Sequence, residues 1–116
     1  MNLIPSSILI LNFSSPQGHR LALFLRGFRM NVLVPEESGQ AVQDLSDDYL
    51  RLSDFVVFDL TNLDHGAWSE LRRICRIRKH DGRPLMILGV SRQFLDPTLY
   101  LLVERLGVKI VYTITK

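Results

Sequence analysis

The chain has 116 residues, of which 47% are hydrophobic, enough for one domain to bury a core without disulfide or metal staples. A single cysteine, Cys75, excludes an internal disulfide framework and any cysteine-only metal site, and it fits a reducing, cytoplasmic setting. A net charge of +2 makes no case for a nucleic-acid partner. No apolar run approaches the ~18 residues of a membrane span, and Met1 to Ser7 lack the basic start and long apolar stretch of a secretion signal.

Ile8 to Leu11 is an unbroken apolar run and predicts a strand buried on both faces. Ser15-Pro16 then signals a helix start. In that helix Leu21, Phe24, Leu25 and Phe28 recur at the spacing of one inner face. Val32-Leu33-Val34 predicts a short second strand, stopped by Pro35. Ser38-Gly39 opens a second helix, with Ala41, Val42, Leu45, Tyr49 and Leu52 on its inner side. Phe55 to Leu60 predicts a third strand, with Asp59 at its carboxyl end. The third helix is expected from Ala67 to about Lys79, with Trp68, Leu71, Ile74 and Cys75 as its buried stripe and Asp81-Gly82 as its stop. Leu85 to Val90 predicts the fourth strand. Asp96-Pro97 caps a fourth helix that runs to Gly107, and Val108 to Ile114 predicts the fifth strand.

Strict alternation of apolar strands with helices predicts an α/β fold, a parallel sheet with helices on both faces. Right-handed crossovers favour the flavodoxin-like order 2-1-3-4-5, here in a single domain over residues 1–116 with the final helix missing. In such sheets ligands and chemistry gather at the carboxyl ends of the strands, where Asp59 stands.

This pattern resembles a response-regulator receiver domain over nearly the whole chain. Leu21 to Arg26, Val32 and Glu37 to Val42 resemble that family's first helix, second strand and second-helix start. Asp54 to Leu60 resembles its third strand, with Asp59 at the phosphoacceptor position; Trp68 to Ile74 and Asp81 to Pro84 resemble its third helix and exit. The resemblance implies Ser91 as the hydroxyl that bonds the phosphoryl group and Lys116 as the phosphate-binding lysine. It also implies a magnesium ion held by an acidic pair after the first strand, but Asn12 and Phe13 stand there. An amide is a weak ligand and a phenyl ring is none, so no metal is expected and magnesium would matter only if phosphorylation were retained.

Ser53 to Leu71 also resembles the nucleoside deoxyribosyltransferase family, in which a strand-end acid precedes a glycine and a nucleophilic glutamate. Asp59, Asp64, Gly66 and Glu70 fit that pattern, and the resemblance implies Glu70 as nucleophile. Against it, Arg72-Arg73 follow Leu71, and the first loop, Asn12 to Pro16, is bulkier than that family's Gly-rich loop.

Arg72, Arg76 and Lys79 are expected on one solvated basic face of the third helix, and His19, His65 and His80 lack the spacing of a zinc site. In the fourth helix Leu99, Leu102, Val103 and Leu106 form the inner stripe, while Tyr100 and Leu101 add apolar surface elsewhere. The receiver resemblance makes the face around Leu99, Tyr100, Leu101 and Val103, with the fifth strand, a place for a protein partner or a homodimer. The expectation is an atypical receiver domain acting through protein contact in the cytoplasm, with phosphorylation impaired and no membrane or nucleic-acid partner; a Glu70-dependent glycosyl-transfer enzyme is the alternative.

Overall fold

The structure, a computed structural model, describes residues 7–35, 39 and 44–113. Among these residues nine elements alternate: β1 (Ser7–Leu11), α1 (Ser15–Arg26), β2 (Asn31–Leu33), α2 (Asp47–Arg51), β3 (Phe55–Asp59), α3 (His65–Cys75), β4 (Met86–Ser91), α4 (Pro97–Arg105) and β5 (Lys109–Tyr112). All four strand pairs are parallel, in the order β2-β1-β3-β4-β5. This is the expected flavodoxin-like arrangement.

The strand order dictates where the helices go. The chain steps one way from β1 to β2 and then the opposite way from β2 through β3 and β4 to β5. Right-handed crossovers therefore place α1 on one face and α2, α3 and α4 on the other. The two cores follow this division. Leu50, Leu71, Ile74 and Val103 from α2 to α4 pack with Leu9, Leu11, Val56, Phe58 and Ile87. On the other face Ala22 packs with Ile8, Ile10, Val32 and Val57, supported by Leu21 and Leu25.

Several expectations need correction. In α1 the buried stripe is Gly18, Ala22 and the half-buried Leu21 and Leu25, whereas Phe24 and Phe28 are 64% and 63% exposed. At Gly18 a small residue is needed because the first turns of the helix lie close to the segments that leave β1 and β2. A Cβ on Gly18 would stand 3.3 Å from the Cβ of Phe13. The cap of α1 is Ser14, with Pro16 in the first turn.

In α2 the described helix follows Ser46, whose side chain accepts the Tyr49 N–H; the predicted opening at Ser38-Gly39 puts Ser38, Ala41 and Val42 outside the described residues, and Gly39 itself stands in a turn. Leu50 takes the inner position and Leu52 is exposed, because the short helix ends before Leu52 can turn inward. α3 starts earlier and ends at Cys75, four residues short of Lys79. Ile77 turns into the core, and Arg78 bridges Pro84 across a tight turn in which Gly82 has φ +85°. Asp81-Gly82 is thus a turn, not a helix stop. Lys79 leaves the basic helical face: its Nζ donates to the Ser53 carbonyl at 3.1 Å and lies 3.8 Å from Asp54. No helix of the described residues is long and apolar enough to cross a membrane.

Candidate functional site

The carboxyl ends of β1, β3 and β4 bring Asn12, Asp59 and Ser91 to the same end of the sheet. Asp59 is buried beside Val57, and its Oδ1 accepts the Thr61 N–H at 2.9 Å, an Asx turn that bends the chain out of β3. Asn12 has the left-handed φ of +67°, which asparagine tolerates better than most residues. Its Nδ2 donates to the Asp59 carbonyl at 2.9 Å and to the Asn62 carbonyl at 3.5 Å. Asn12 therefore ties the β1 exit to the β3 loop as a hydrogen-bond donor. An acid at this position could accept hydrogen bonds but, when ionised, could not donate these two.

Phe13, the other residue at the acid-pair position, packs beneath α1 in the smaller core. Ser91 is fully buried; its hydroxyl donates to the Gln93 carbonyl at 2.6 Å and accepts the Gln93 N–H at 3.3 Å. Thr61 Oγ1 accepts the Arg92 N–H at 3.1 Å and links the two loops. The hydroxyl and carboxylate are thus engaged by their own loops, in a geometry that stiffens the sheet's carboxyl edge. Among the described residues no group of three or more histidine, cysteine or acidic side chains is placed to hold a metal ion. Lys116 lies outside the described residues.

The second set of sequence candidates is spread apart. Asp64 caps α3, its Oδ1 accepting the Ala67 N–H at 2.8 Å. Glu70 is largely buried and receives a hydrogen bond from Arg73 Nε at 2.9 Å, while Arg73 Nη1 reaches Asp47 of α2 at 3.0 Å. Glu70 and Asp47 thus clamp one guanidinium between α3 and α2. The charge-assisted geometry fixes the helix pair.

A groove of about 260 Å³ opens between the start of α3 and α4, lined by Leu63, Asp64, His65, Trp68, Leu99 and Leu102. Glu70 does not line it. The expected α4 surface is present in altered form. Val103 is fully buried, Leu99 and Tyr100 are half-buried, and Leu101 and Leu102 are exposed. Leu102, assigned inward by its spacing, lies on the groove wall because α4 rests on the sheet through Val103. Glu104, one turn on from Tyr100, raises that phenol above its usual range. Nearby, Phe94 and Tyr112 pack edge to face at 4.9 Å and join the β4–α4 loop to β5. Trp68 as a groove wall was missed in the sequence; its place in the third helix stripe was the available signal.

Cys75 is half-buried at the end of α3, and burial pushes its thiol up to about 11. This makes it a packing residue and a poor nucleophile at neutral pH.

No family model matches the chain, and no curated protein matches it. Among solved structures it is similar to a protein from Burkholderia pseudomallei K96243 whose name relates it to pilus assembly. The TM-score is 0.69 at 22% identity, over 97% of this chain and 84% of that one. The likeness establishes the shared parallel α/β fold.

Proposed function

We propose that this chain is an atypical receiver-like domain that acts through protein contact, with magnesium-dependent phosphorylation of Asp59 impaired or absent. The observation that carries this reading is Asn12, whose amide donates to the Asp59 and Asn62 carbonyls where a phosphorylating site needs anionic oxygen ligands. Ser91 supports it, because its hydroxyl is committed to Gln93. The exposed Leu101 and Leu102 of α4, beside the apolar groove with Trp68, supply the contact surface. The fold neighbour's name supports a pilus-assembly setting for that contact.

The test is incubation with a small phosphodonor and magnesium, followed by intact-mass measurement. No phosphoryl adduct is expected. Stoichiometric labelling that disappears in Asp59→Asn would overturn the proposal. Glycosyl transfer ranks below it, because Glu70 is held by Arg73 and stands away from the lining of the groove. Release of base from a nucleoside, abolished by Glu70→Gln, would reverse that ranking.

A further inference from the structure

The groove between α3 and α4 changes chemistry along its length. Its apolar part is Leu63, Trp68, Leu99 and Leu102, with Asp64 and His65 at the end nearest the carboxyl edge of the sheet. Both walls are helices seated on the sheet through fully buried residues, Leu71 and Ile74 under α3 and Val103 under α4. The groove is therefore set by packing within one layer of helices.

Helix geometry says which residues continue the walls. Arg73 reaches Asp47 of α2, so Glu70 and Arg73 mark the flank of α3 that faces α2. Trp68 lines the groove on the opposite flank, and Arg72 and Arg76 follow it at steps of four residues, in one row. On α4, Glu104 stands against Tyr100 on the flank away from α3. Leu102 stands on the groove flank, and Arg105 follows it at a step of three. Both helices run from the carboxyl edge of the sheet back to its amino edge, so the three arginines gather at the same end.

The fold makes no use of these arginines. Arg72, Arg76 and Arg105 are exposed, and none holds an ion pair among the described residues. The arginines on the α2 side differ: Arg51 holds Asp48, and Arg73 holds Asp47 and Glu70. The one acid lining the groove, Asp64, is committed to the α3 cap at the far end. Three like charges around an apolar slot repel one another and favour a carboxylate that arrives with a ligand.

We propose that this groove binds a short acidic segment of a partner protein. A leucine or phenylalanine of that segment sits against Trp68, and neighbouring glutamates or aspartates meet Arg72, Arg76 and Arg105. The proposal rests on the reading of this groove as a protein-contact surface and adds the chemistry of the partner; a phosphoryl adduct on Asp59 would overturn the other half of that reading without touching this one. The size of the groove, about 260 Å³, falls below the ~300–1,000 Å³ of pockets that enclose a cofactor-sized ligand, and suits one anchoring side chain of a longer chain. A flat bilayer would meet the exposed Leu101 and Leu102 and leave the half-buried Trp68 unreached. A second copy of this chain is a poor occupant, because the acids on its helices are engaged: Asp47, Asp48 and Glu70 hold arginines, and Glu104 stands against Tyr100.

Trp68 is the chain's single tryptophan, so its fluorescence reports on this groove alone. Three probes are titrated into the full chain: a tryptophan-free peptide of about 12 residues with a Leu/Phe anchor and glutamate flanks, the same peptide with lysine flanks, and vesicles containing an anionic lipid. The glutamate peptide is expected to move Trp68 emission to shorter wavelength and to bind about tenfold more tightly than the lysine peptide. That preference should shrink as salt rises from about 0.05 M to about 0.5 M. Arg72→Glu combined with Arg105→Glu should erase it, and Leu102→Ser should weaken both peptides. Arg20→Glu, on the α1 face, should change neither. All four positions are exposed, and circular dichroism checks that the variants fold. Equal affinity for the two peptides, unchanged Trp68 emission at millimolar peptide, or a preference that survives the double charge reversal would overturn the proposal. So would vesicle binding in place of peptide binding, or a dimer that Arg105→Glu dissociates.

Discussion

The two faces of the sheet differ in how they are finished. On one, three helices close over β3 and β4 and bury Phe58, Leu71, Ile74 and Val103 completely. On the other, among the described residues, one helix packs over β1, β2 and Val57 of β3, and Phe24, Phe28 and Met86 stay exposed. Strand order and crossover handedness impose this division, because only the first connection runs toward β2. A fully buried position resists change in side-chain volume, whereas an exposed one tolerates it.

That comparison can be broken most directly at Phe58. Phe58→Ala should cost about 3–5 kcal/mol by denaturant titration, through lost transfer energy and a cavity that the three-helix face cannot collapse. A cost near zero would mean that this face is loosely packed. Gly89→Ala tests the same face from the opposite direction. A new Cβ would stand 2.6 Å from Leu60 Cδ1 and 2.8 Å from Val108 Cγ1. Leu60 is buried and valine is stiff at χ1, so about 1–3 kcal/mol of destabilisation is expected in the same titration.

Asp64→Ala removes the cap of α3 and should cost about 1 kcal/mol, read as a lower melting temperature. At the exposed Met86 on the other face, Met86→Ser should stay within about 0.5 kcal/mol of the parent, since the side chain is already in water. A loss as large as that at Phe58 would erase the distinction between the faces.

Cys75 adds a pH test of the closed side. Its folded pKa lies above the unfolded value, so the folded state holds the proton more tightly. The resulting stability is fully present below about pH 9 and is lost as pH rises toward 11, the folded value. Thermal melts between these limits should show this slope, and Cys75→Ala should remove it. Iodoacetamide at pH 8 should modify the folded thiol roughly 100-fold more slowly than the unfolded one, from thiolate fraction alone.

Much of the fold was legible because strands and helices carry different apolar periods. The solid runs Ile8–Leu11 and Phe55–Phe58 can satisfy both of their faces only inside a covered parallel sheet. The site was less legible. Asp59 at a strand end was visible, and so was the missing acid pair, but the latch made by Asn12 was not. It depends on a left-handed backbone and on the nearness of residues about fifty positions away. Glu70 and Arg73 are three apart on one helix, yet their joint grip through Asp47 exists only once α2 packs beside α3.

The sequence by itself determined the alternation of elements, the parallel order that right-handed crossovers allow, and an acid at the mouth of the third strand. Only the tertiary structure decided which stripe of α1 faces inward. Helical periodicity and hydrophobicity offered Leu21, Phe24, Leu25 and Phe28 as the inner face, whereas the structure turns Gly18 and Ala22 inward with Leu21 and Leu25. Close approach to Phe13 and Val34 selects glycine at position 18, since packing depth is set by the atoms in between. The two phenylalanines are left exposed on the flank of the helix.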